Sequence, residues 1–400
     1  MILNKRYTKS IGLALLIAII ALGLLLRIKF VFGPQLSLSP DATNYDAMVK
    51  QFLSEGFLGY LSGEPNAYVV PGYPLFLSVI YSIFGFTPES PLFMVRIIQA
   101  FIGTASILLV YLIGKEILNN RVGLISAILF AIYPPFSESV TLILTEVLYT
   151  FFFLLYLLIQ LKALKSPSPV LNTLSGVLMA LAILIRPTLF PLFALPYIYQ
   201  YIVTRDKKVF RSFGYLVLGI TIIMLPWWVR NYLTLGKFIL LSTGSGNPLF
   251  AGAFPNLDFS NMKYVPPSEQ FNEGIRLIIN GFLTQPLVYL KWYTLGKFWV
   301  IFNRPWYQSQ ALQSIIYLHH VIVVLGFTGT IFAIISKQIR LIALLIILLT
   351  GLQLLFIPNP RYAYSILPLL IILGAQIIDR LFFRNDEIRT KEPPLTESSY

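Results

Sequence analysis

Long runs of apolar residues recur through most of this chain, and they restrict its fold more than any other feature. A helix that crosses a bilayer needs roughly 20 apolar residues. Only 12% of the 400 residues are charged, whereas a soluble domain is typically about a quarter charged. The pattern predicts an all-α integral membrane protein of about ten spans (range about 9–12), at about residues 10–32, 92–113, 122–140, 142–161, 170–185, 187–203, 210–228, 314–336, 339–357 and 361–383.

Two further stretches predict helices on the membrane surface rather than across it. Residues 286–302 are apolar, but Lys291 and Lys297 interrupt them and they are rich in Trp and Tyr, which favours an interfacial helix. Residues 47–57 carry apolar side chains at helical spacing with polar ones between them, which predicts a short surface helix. No small-residue cleavage site follows the first apolar run, so we expect it to be a retained helix rather than a signal peptide.

Lysines and arginines in the short loops predict the orientation, because cytoplasmic loops of membrane proteins carry an excess of them. The short external turns carry only Arg361, so both termini are predicted to be cytoplasmic, with long extracytoplasmic loops at 33–91 and 229–313. Residues 1–384 form the predicted membrane domain, and 385–400 form a polar cytoplasmic tail of disordered composition. The cytoplasmic basic residues are Lys5, Arg6, Lys9, Lys115, Arg121, Lys162, Lys165, Arg205, Lys207, Lys208, Arg211, Lys337, Arg340, Arg380, Arg384, Arg389 and Lys391.

The net charge of +13 reflects basic residues that lie mainly in the predicted cytoplasmic segments, so we do not interpret it as a sign of nucleic-acid binding. The chain has no cysteine, which excludes disulfides and thiolate metal sites. Its only histidines, His319 and His320, are adjacent, so the sequence provides neither a catalytic triad based on histidine nor a site with several histidine ligands.

Several charged or polar residues fall on the predicted outer face, where they mark a candidate site. Charged residues at the outer edge of spans that could approach one another suggest a functional site. Arginines suit a substrate that carries phosphate, and a carboxylate suits a nucleophile that must lose a proton. The candidates are Asp41, Asp46, Glu138, Glu146, Arg186, Arg230, Asn231, Arg361 and Tyr362, together with Tyr68 and Tyr73, whose rings could stack on a sugar.

Simpler explanations remain open for these residues when they are considered alone. Asp41 could cap a helix, since Asp is common at the N-cap position. Asp46 could lie on the solvated side of the surface helix, and Glu146 could serve only to pair with an arginine. Arg230 follows two tryptophans and fits an interfacial belt, and Arg186 could extend to the interface.

The compartment narrows the chemistry that such a site could perform. Nucleotide sugars and ATP are cytoplasmic, and the sequence has neither a phosphate-binding P-loop nor a dinucleotide fingerprint. An enzyme acting on the outer face would therefore take its activated group from a lipid carrier, such as a polyprenyl-phosphate sugar. The phosphate leaving group would need cations, and the attacking hydroxyl would need a base.

Several stretches resemble the GT-C glycosyltransferases, and most closely the group of protein O-mannosyltransferases (dolichyl-phosphate-mannose-protein mannosyltransferase-like) and lipid A aminoarabinose transferases. SPDATNYDAMVKQFLSEGF (39–57) and VVPGYPLFLSVIYSIFG (69–85) are similar to the first external loop of that family. Supporting similarity lies in TEVLYTFFFLLYLL (145–158), IRPTLFPLFALP (185–196), PWWVRNYLTLGKFILLSTGSGN (226–247) and PRYAYSILPLLIILGA (360–375).

The resemblance implies a GT-C-type helical bundle in the cell membrane, plasma or inner, surrounded by membrane lipids. It further implies a polyprenyl-phosphate-linked sugar as donor and transfer with inversion, while the predicted topology puts the active site on the extracytoplasmic side. Its catalytic acid matches Asp41, while Ala42 replaces the second acid of the usual pair. We predict no metal ligands and no required cofactor, and the sequence leaves a divalent metal open.

Asp41 is therefore the predicted catalytic base, and the acceptor can be a glycan, a lipid or a protein. The predicted substrate-binding residues are Arg230, Arg361, Arg186, Glu146, Tyr362, Asn231, Tyr73 and Asp46. A transporter or flippase of lipid-linked glycans is the main alternative, and a non-catalytic subunit of envelope glycan assembly is another. A transporter would favour charges near the bilayer midplane and an internal repeat, whereas this sequence has its charges near one face and no repeat.

Overall fold

A computed structural model of the chain describes residues 2–35, 37–260, 262–307, 313–337 and 339–389. These residues form helices joined by short turns and two long loops, which confirms the predicted all-α class. The helices are α1 Ile2–Phe32, α2 Pro40–Glu55, α3 Gly72–Phe84, α4 Leu92–Ile117, α5 Asn120–Ile132, α6 Pro134–Glu138, α7 Glu146–Lys165, α8 Pro169–Ile185, α9 Leu195–Thr204, α10 Lys208–Leu235, α11 Gly246–Gly252, α12 Gln270–Thr284, α13 Pro286–Lys291, α14 Lys297–Phe302, α15 Gln313–Ile335, α16 Arg340–Leu355 and α17 Leu367–Arg389.

Within the described residues, five helices are long and apolar enough to cross a membrane. They lie at Ser10–Phe32, Leu92–Ile117, Glu146–Lys165, Lys208–Leu235 and Ser314–Ile335. A sixth crossing is counted if α5 and the segment Pro134–Thr141, which are bent by 64° relative to each other, form one span. Helices α3, α8 and α16 are apolar but shorter. The protein is thus a multi-pass membrane protein, while the predicted count of about ten spans stays a prediction.

Prolines account for three of the interruptions in the predicted spans. Pro134 begins α6 one residue after α5 ends, Pro187 begins a 3-10 turn after α8, and Pro360 begins another before α17. Proline lacks a backbone donor and disfavours helix at the preceding residue, so a helix that meets one tends to end there. Non-helical backbone at membrane depth is tolerated where it is buried or lines a cavity.

Two glycines allow α8 and α10 to pack at very short range. A Cβ atom added at Gly176 would lie 2.1 Å from the Leu216 carbonyl oxygen, and one added at Gly219 would lie 2.1 Å from the Thr173 carbonyl oxygen. Small residues at helix contacts are how membrane helices gain van der Waals packing, because lipid gives them no hydrophobic drive to associate. This contact fixes the position of α8, and Arg186 follows its last residue.

The first long loop, predicted over 33–91, contains α2, which starts earlier than the surface helix predicted over residues 47–57. Ser39 caps it by accepting a hydrogen bond from the Ala42 backbone nitrogen at 3.3 Å, and Pro40 occupies its first turn. Gly56 ends it with φ of 81°, a left-handed conformation that favours glycine. Asp41 therefore lies in the first helical turn, and Ser39 is the capping residue.

The predicted interfacial helix over 286–302 is observed as three consecutive segments. These are α13, a π-helical turn at Trp292–Gly296, and α14. Near the C-terminus, α17 continues to Arg389 and so includes the first five residues of the predicted tail. The rest of that tail, 390–400, lies outside the described residues.

Candidate active site

Glu146 occupies the centre of the candidate site and is only 1% exposed. It is the first residue of α7, and its carboxylate is bound by two arginines from other parts of the chain. Arg186 donates from Nη1 to Oε1 at 2.7 Å. Arg361 donates from Nε to Oε1, and from Nη2 to Oε2 at 3.2 Å. The buried carboxylate is thus compensated by two guanidinium groups, as a buried charge requires.

Both arginines lie where a helix is interrupted. Arg186 follows α8 in an extended conformation, with φ of −146° and ψ of 120°. Arg361 lies in the 3-10 turn that Asn359 caps by accepting from the Arg361 backbone nitrogen at 2.9 Å. The proline after Arg186 disfavours helix at that arginine, and Pro360, directly before Arg361, begins the 3-10 turn that carries it.

Asp41 completes the cluster and is its accessible carboxylate. Its Oδ2 accepts from Arg361 Nη1 at 2.7 Å, and its Oδ1 accepts from the Tyr60 hydroxyl at 3.4 Å. The side chain is 51% exposed, in contrast to the buried Glu146. Burial raises the pKa of Tyr60 to about 12, and the Asp41 carboxylate acts in the same direction, so the hydroxyl remains a donor at neutral pH.

A polar cavity of about 290 Å³ opens beside this cluster. Asp41, Arg186 and Arg361 line one side, and the Tyr362 ring lies 6.0 Å from the Arg186 guanidinium carbon. The glycine- and serine-rich stretch at 242–247 lines another side, where Gly244 donates from its backbone nitrogen to the Tyr68 carbonyl at 3.0 Å. The two long loops therefore meet over the cavity.

A larger apolar cavity of about 490 Å³ adjoins the polar one. The two share the lining residues Pro187, Thr188, Ser242, Ser245, Gln353 and Phe356. Most of the remaining lining is apolar and comes from α12 and α16, with Phe271, Ile275 and Leu349 among it. A molecule with a charged head and an apolar chain would find both environments next to each other.

The structure does not bring Arg230 and Asn231 into this cavity. Arg230 donates to the carbonyls of Asn66 at 2.8 Å and Leu58 at 3.0 Å, so its guanidinium holds the first long loop. Asn231 is fully buried, accepts from Arg230 at 3.0 Å and donates to the Ile239 carbonyl at 3.3 Å. Their contacts fit an architectural function, because they bind loop carbonyls and do not line the cavity.

Asp46 also lies away from the cavity lining. Its Oδ1 accepts from Tyr81 at 2.6 Å and from Ser90 at 2.5 Å, and its Oδ2 pairs with Lys50 at 2.9 Å. Burial alone would raise the pKa of Asp46, but these three partners outweigh it and hold the pKa below its usual range. These contacts tie α2 to α3 and to the segment before α4.

Tyr73 is fully buried and donates to Gln99 at 3.1 Å, so its ring is not available to stack on a sugar. The tyrosines that line the polar cavity are Tyr45, Tyr68 and Tyr362. Sequence reasoning missed Tyr45, although its spacing of four from Asp41 places it on the same helical face once α2 is known to begin at Pro40. Gln353 and Thr145 also line the cavity, and no local sequence signal pointed to them.

The charges of the cluster suit an anion better than a metal ion. No group of three or more His, Cys, Asp or Glu side chains is placed to hold a metal within the part of the chain that the structure describes. The two carboxylates here both contact guanidinium groups, which would compete with a divalent cation. The arginines present several N–H donors in planar forks, which match the oxygens of phosphate.

Comparison with known proteins gives a family match by sequence and several matches by fold. Residues 65–229 match the family model of dolichyl-phosphate-mannose-protein mannosyltransferases. No curated protein matches the sequence.

Solved structures with a similar fold include the Archaeoglobus fulgidus oligosaccharyltransferase in its apo form, with a TM-score of 0.55, 14% identity and coverage of 96% of this chain and 52% of that chain. The same organism's oligosaccharyltransferase AglB, in complex with an inhibitory peptide and a dolichol-phosphate, gives a TM-score of 0.53, 14% identity and coverage of 98% and 53%. ArnT from Cupriavidus metallidurans bound to undecaprenyl phosphate gives 0.47, 15% identity and coverage of 95% and 81%.

The chain thus spans about half the length of the oligosaccharyltransferases that it matches. At these identities the likeness concerns the fold alone. The family match and the shared fold nevertheless confirm the resemblance predicted from the sequence: the chain has the fold of the GT-C superfamily of glycosyltransferases.

Proposed function

We propose that the protein is a membrane glycosyltransferase that moves a sugar from a polyprenyl-phosphate donor to an acceptor hydroxyl on the extracytoplasmic face. The observation that carries this proposal is the adjacency of two guanidinium groups and an apolar cavity. Arg186 and Arg361 line the polar cavity, and the apolar cavity shares six lining residues with it. A phosphate would bind the arginines while its isoprenoid chain enters the apolar space.

The relatives support a donor of this kind. The matched family model is named for dolichyl-phosphate-mannose, and the oligosaccharyltransferase AglB has a structure in complex with a dolichol-phosphate. An isoprenoid phosphate combines one strongly anionic group with a long hydrocarbon chain, which is the pair of properties that the two cavities offer.

Asp41 is the proposed general base. The acceptor hydroxyl would give its proton to the Asp41 carboxylate while its oxygen attacks the anomeric carbon of the sugar. The bond between that carbon and the phosphate oxygen breaks, and the electron pair leaves with the phosphate. Arg186 and Arg361 would stabilise the charge that develops there, which is where preorganised donors contribute most.

Glu146 supports a single displacement with inversion. Retaining glycosidases use two carboxylates that flank the bond, one of them as a nucleophile. Glu146 is buried and bound by two arginines, so it is poorly placed to attack a sugar. Only Asp41 combines a carboxylate with substantial exposure in the described cluster.

The test is transfer by purified protein from a panel of polyprenyl-phosphate sugars. Asp41→Asn should lower turnover by roughly 10²–10⁴-fold, the usual contribution of a general base, while leaving the folded fraction unchanged. Asp46→Asn is the matched control, because it makes the same substitution on the same helix at a carboxylate outside the cavity lining. Turnover by Asp41→Asn within a few-fold of wild type would refute the assignment of the base. A wild-type protein that moves lipid-linked sugar across the bilayer without transferring it would favour a flippase instead.

A further inference from the structure

A second polar depression, of about 380 Å³, lies along α2 next to the candidate active site. We call it the α2 groove. One wall is a face of α2 whose lining residues recur every three or four positions, and the other is the loop segment 59–62. The helical lining includes Asn44, Met48, Gln51 and Glu55. Asp41 precedes Asn44 by three residues, so it belongs to the same helical face.

Asp41, the proposed base, does not line the α2 groove but lies one helical turn before Asn44, which does. The Tyr60 hydroxyl lies 3.4 Å from Asp41 Oδ1 and accepts a long hydrogen bond of 3.5 Å from Asn44 Nδ2. The Tyr60 ring stacks on that of Tyr68, with centroids 5.6 Å apart and planes 4° apart. Because Tyr68 lines the polar cavity, the two stacked rings lie between that cavity and the groove.

The length of the groove suits a molecule with several polar groups. From Asn44 to Glu55 the helix rises about 16 Å, at about 1.5 Å per residue. The lining supplies amides, hydroxyls and two charged side chains, and few large apolar groups. This composition contrasts with the apolar cavity on the other side of Asp41 and disfavours a second lipid chain in the groove.

The free hydrogen-bonding groups in the groove are mainly acceptors. Lys50 is paired with Asp46 at 2.9 Å, so its charge is already compensated. Glu55 is exposed and forms no ion pair with the residues that the structure describes. We assign the Gln51 amide with its nitrogen facing the carbonyls of Gly59 at 3.1 Å and Ser62 at 3.3 Å, because the opposite orientation would set its oxygen against two other oxygens. In this orientation the nitrogen donates to both carbonyls, and the amide oxygen is available to accept. Carboxylate and amide oxygens attract hydroxyl donors and repel phosphate or carboxylate groups.

We infer that the α2 groove binds the acceptor, and that the acceptor is a neutral saccharide. Its hydroxyl groups donate to Asn44, Gln51 and Glu55, and one further hydroxyl reaches Asp41. In the reaction that hydroxyl loses its proton to Asp41, its oxygen bonds to the anomeric carbon, and the bond from that carbon to the phosphate oxygen breaks. This inference rests on the proposed function, since it names the substrate that receives the sugar.

The test compares two reactions of the same donor: transfer to a neutral oligosaccharide, with maltotriose and mannotriose as probes, and hydrolysis by water. Glu55→Ala and Asn44→Ala should each raise the KM for the oligosaccharide about 5- to 10-fold, as expected for a lost hydrogen bond. Donor hydrolysis by Glu55→Ala should stay within about twofold of wild type, because Glu55 lies outside the polar cavity. Glu64→Ala is the matched control, since Glu64 is an exposed glutamate of the same loop that does not line the groove.

An unchanged KM in Glu55→Ala and Asn44→Ala would overturn the inference. So would efficient transfer to a serine-containing peptide or to an anionic lipid by a protein that does not use the oligosaccharides. Binding of mannotriose to the unreacted protein, measured by saturation-transfer NMR, separates this inference from the proposed function. A protein that binds mannotriose through Glu55 but never consumes the donor would refute the enzyme and retain the groove, whereas active protein with no such binding would refute the groove alone.

Discussion

Replacement of Glu146 by glutamine tests the charge balance on which the candidate site depends. The substitution keeps the size and shape of the side chain and removes one negative charge. Arg186 then loses its carboxylate partner, which lies 2.7 Å away, and Arg361 keeps only Asp41. Two guanidinium groups would remain close together beside a neutral amide.

The expected cost follows from the burial of the three groups. Removal of one partner of a buried ion pair costs about 3–5 kcal/mol, because the remaining charge is left uncompensated. Arg186 and Arg361 keep 15% and 19% of their side-chain surface exposed, so water screens them partly. We therefore expect about 3 kcal/mol, the lower end of that range, and a fall in melting temperature of about 6 °C at about 2 °C per kcal/mol for a long chain.

Thermal unfolding of the purified protein, with and without undecaprenyl phosphate, would measure this effect. The lipid phosphate should raise the melting temperature of Glu146→Gln more than that of wild type, because it replaces the missing negative charge and binds only the folded state. Glu116→Gln is the matched control. Glu116 pairs with Lys165 at 2.7 Å in a more exposed place, so its loss should cost no more than about 1 kcal/mol.

Two results would contradict this reasoning. A melting temperature of Glu146→Gln equal to that of Glu116→Gln would show that the buried cluster does not depend on the Glu146 charge. Equal stabilisation of wild type and Glu146→Gln by undecaprenyl phosphate would show that the phosphate does not bind these arginines.

Two other substitutions test residues that the structure places outside the cavity. Asp46→Asn should keep turnover per folded molecule but flatten the dependence of stability on pH. The pKa of Asp46 is lower in the folded state than in the unfolded chain. Its contribution to the free energy of unfolding is therefore complete above about pH 4 and is lost as the pH falls through the folded pKa. Acid unfolding of wild type and variant measures this difference, and parallel curves of stability against pH would refute it. Arg230→Met should release the first long loop, because the Leu58 and Asn66 carbonyls lose charged donors worth about 1.5–3 kcal/mol each. Limited proteolysis between residues 56 and 71 should become faster while the Kd for undecaprenyl phosphate stays within about twofold, and a large loss of lipid affinity would return Arg230 to the binding site.

The local sequence pattern predicted several candidate residues, but only some of them meet in the site. Asp41, Glu146, Arg186 and Arg361 were all predicted from their position at the edges of apolar runs, and all four meet in the structure. Arg230 was predicted by the same argument, yet its guanidinium binds two loop carbonyls. A charged residue at the end of an apolar run gives the same local signal whether it enters a site or binds a loop. Its partner depends on which segments the fold brings near it.

The boundaries of the helices show the same division. The apolar runs predicted where helices lie, because a helix satisfies its own backbone groups in lipid and needs only a local composition. The breaks after Ile132, at Arg186 and before Leu367 follow from prolines that are visible in the sequence. The direction that the chain takes after each break depends on tertiary packing, which the local sequence does not specify. Each break lets the chain turn into the protein interior, where the exposed backbone groups find partners or line the cavity.

The sequence by itself determined the class of protein: a bundle of apolar helices with a basic and an acidic set of residues near one predicted face, and a first loop with an exposed acid. Only the tertiary structure decided which of these residues form a site. Asp41 and Arg361 are separated by 320 positions, Glu146 and Arg361 by 215, and Glu146 and Arg186 by 40. No local pattern encodes contacts at such separations, because they arise when the packed helices bring the two long loops and the proline-broken helix ends together over one cavity.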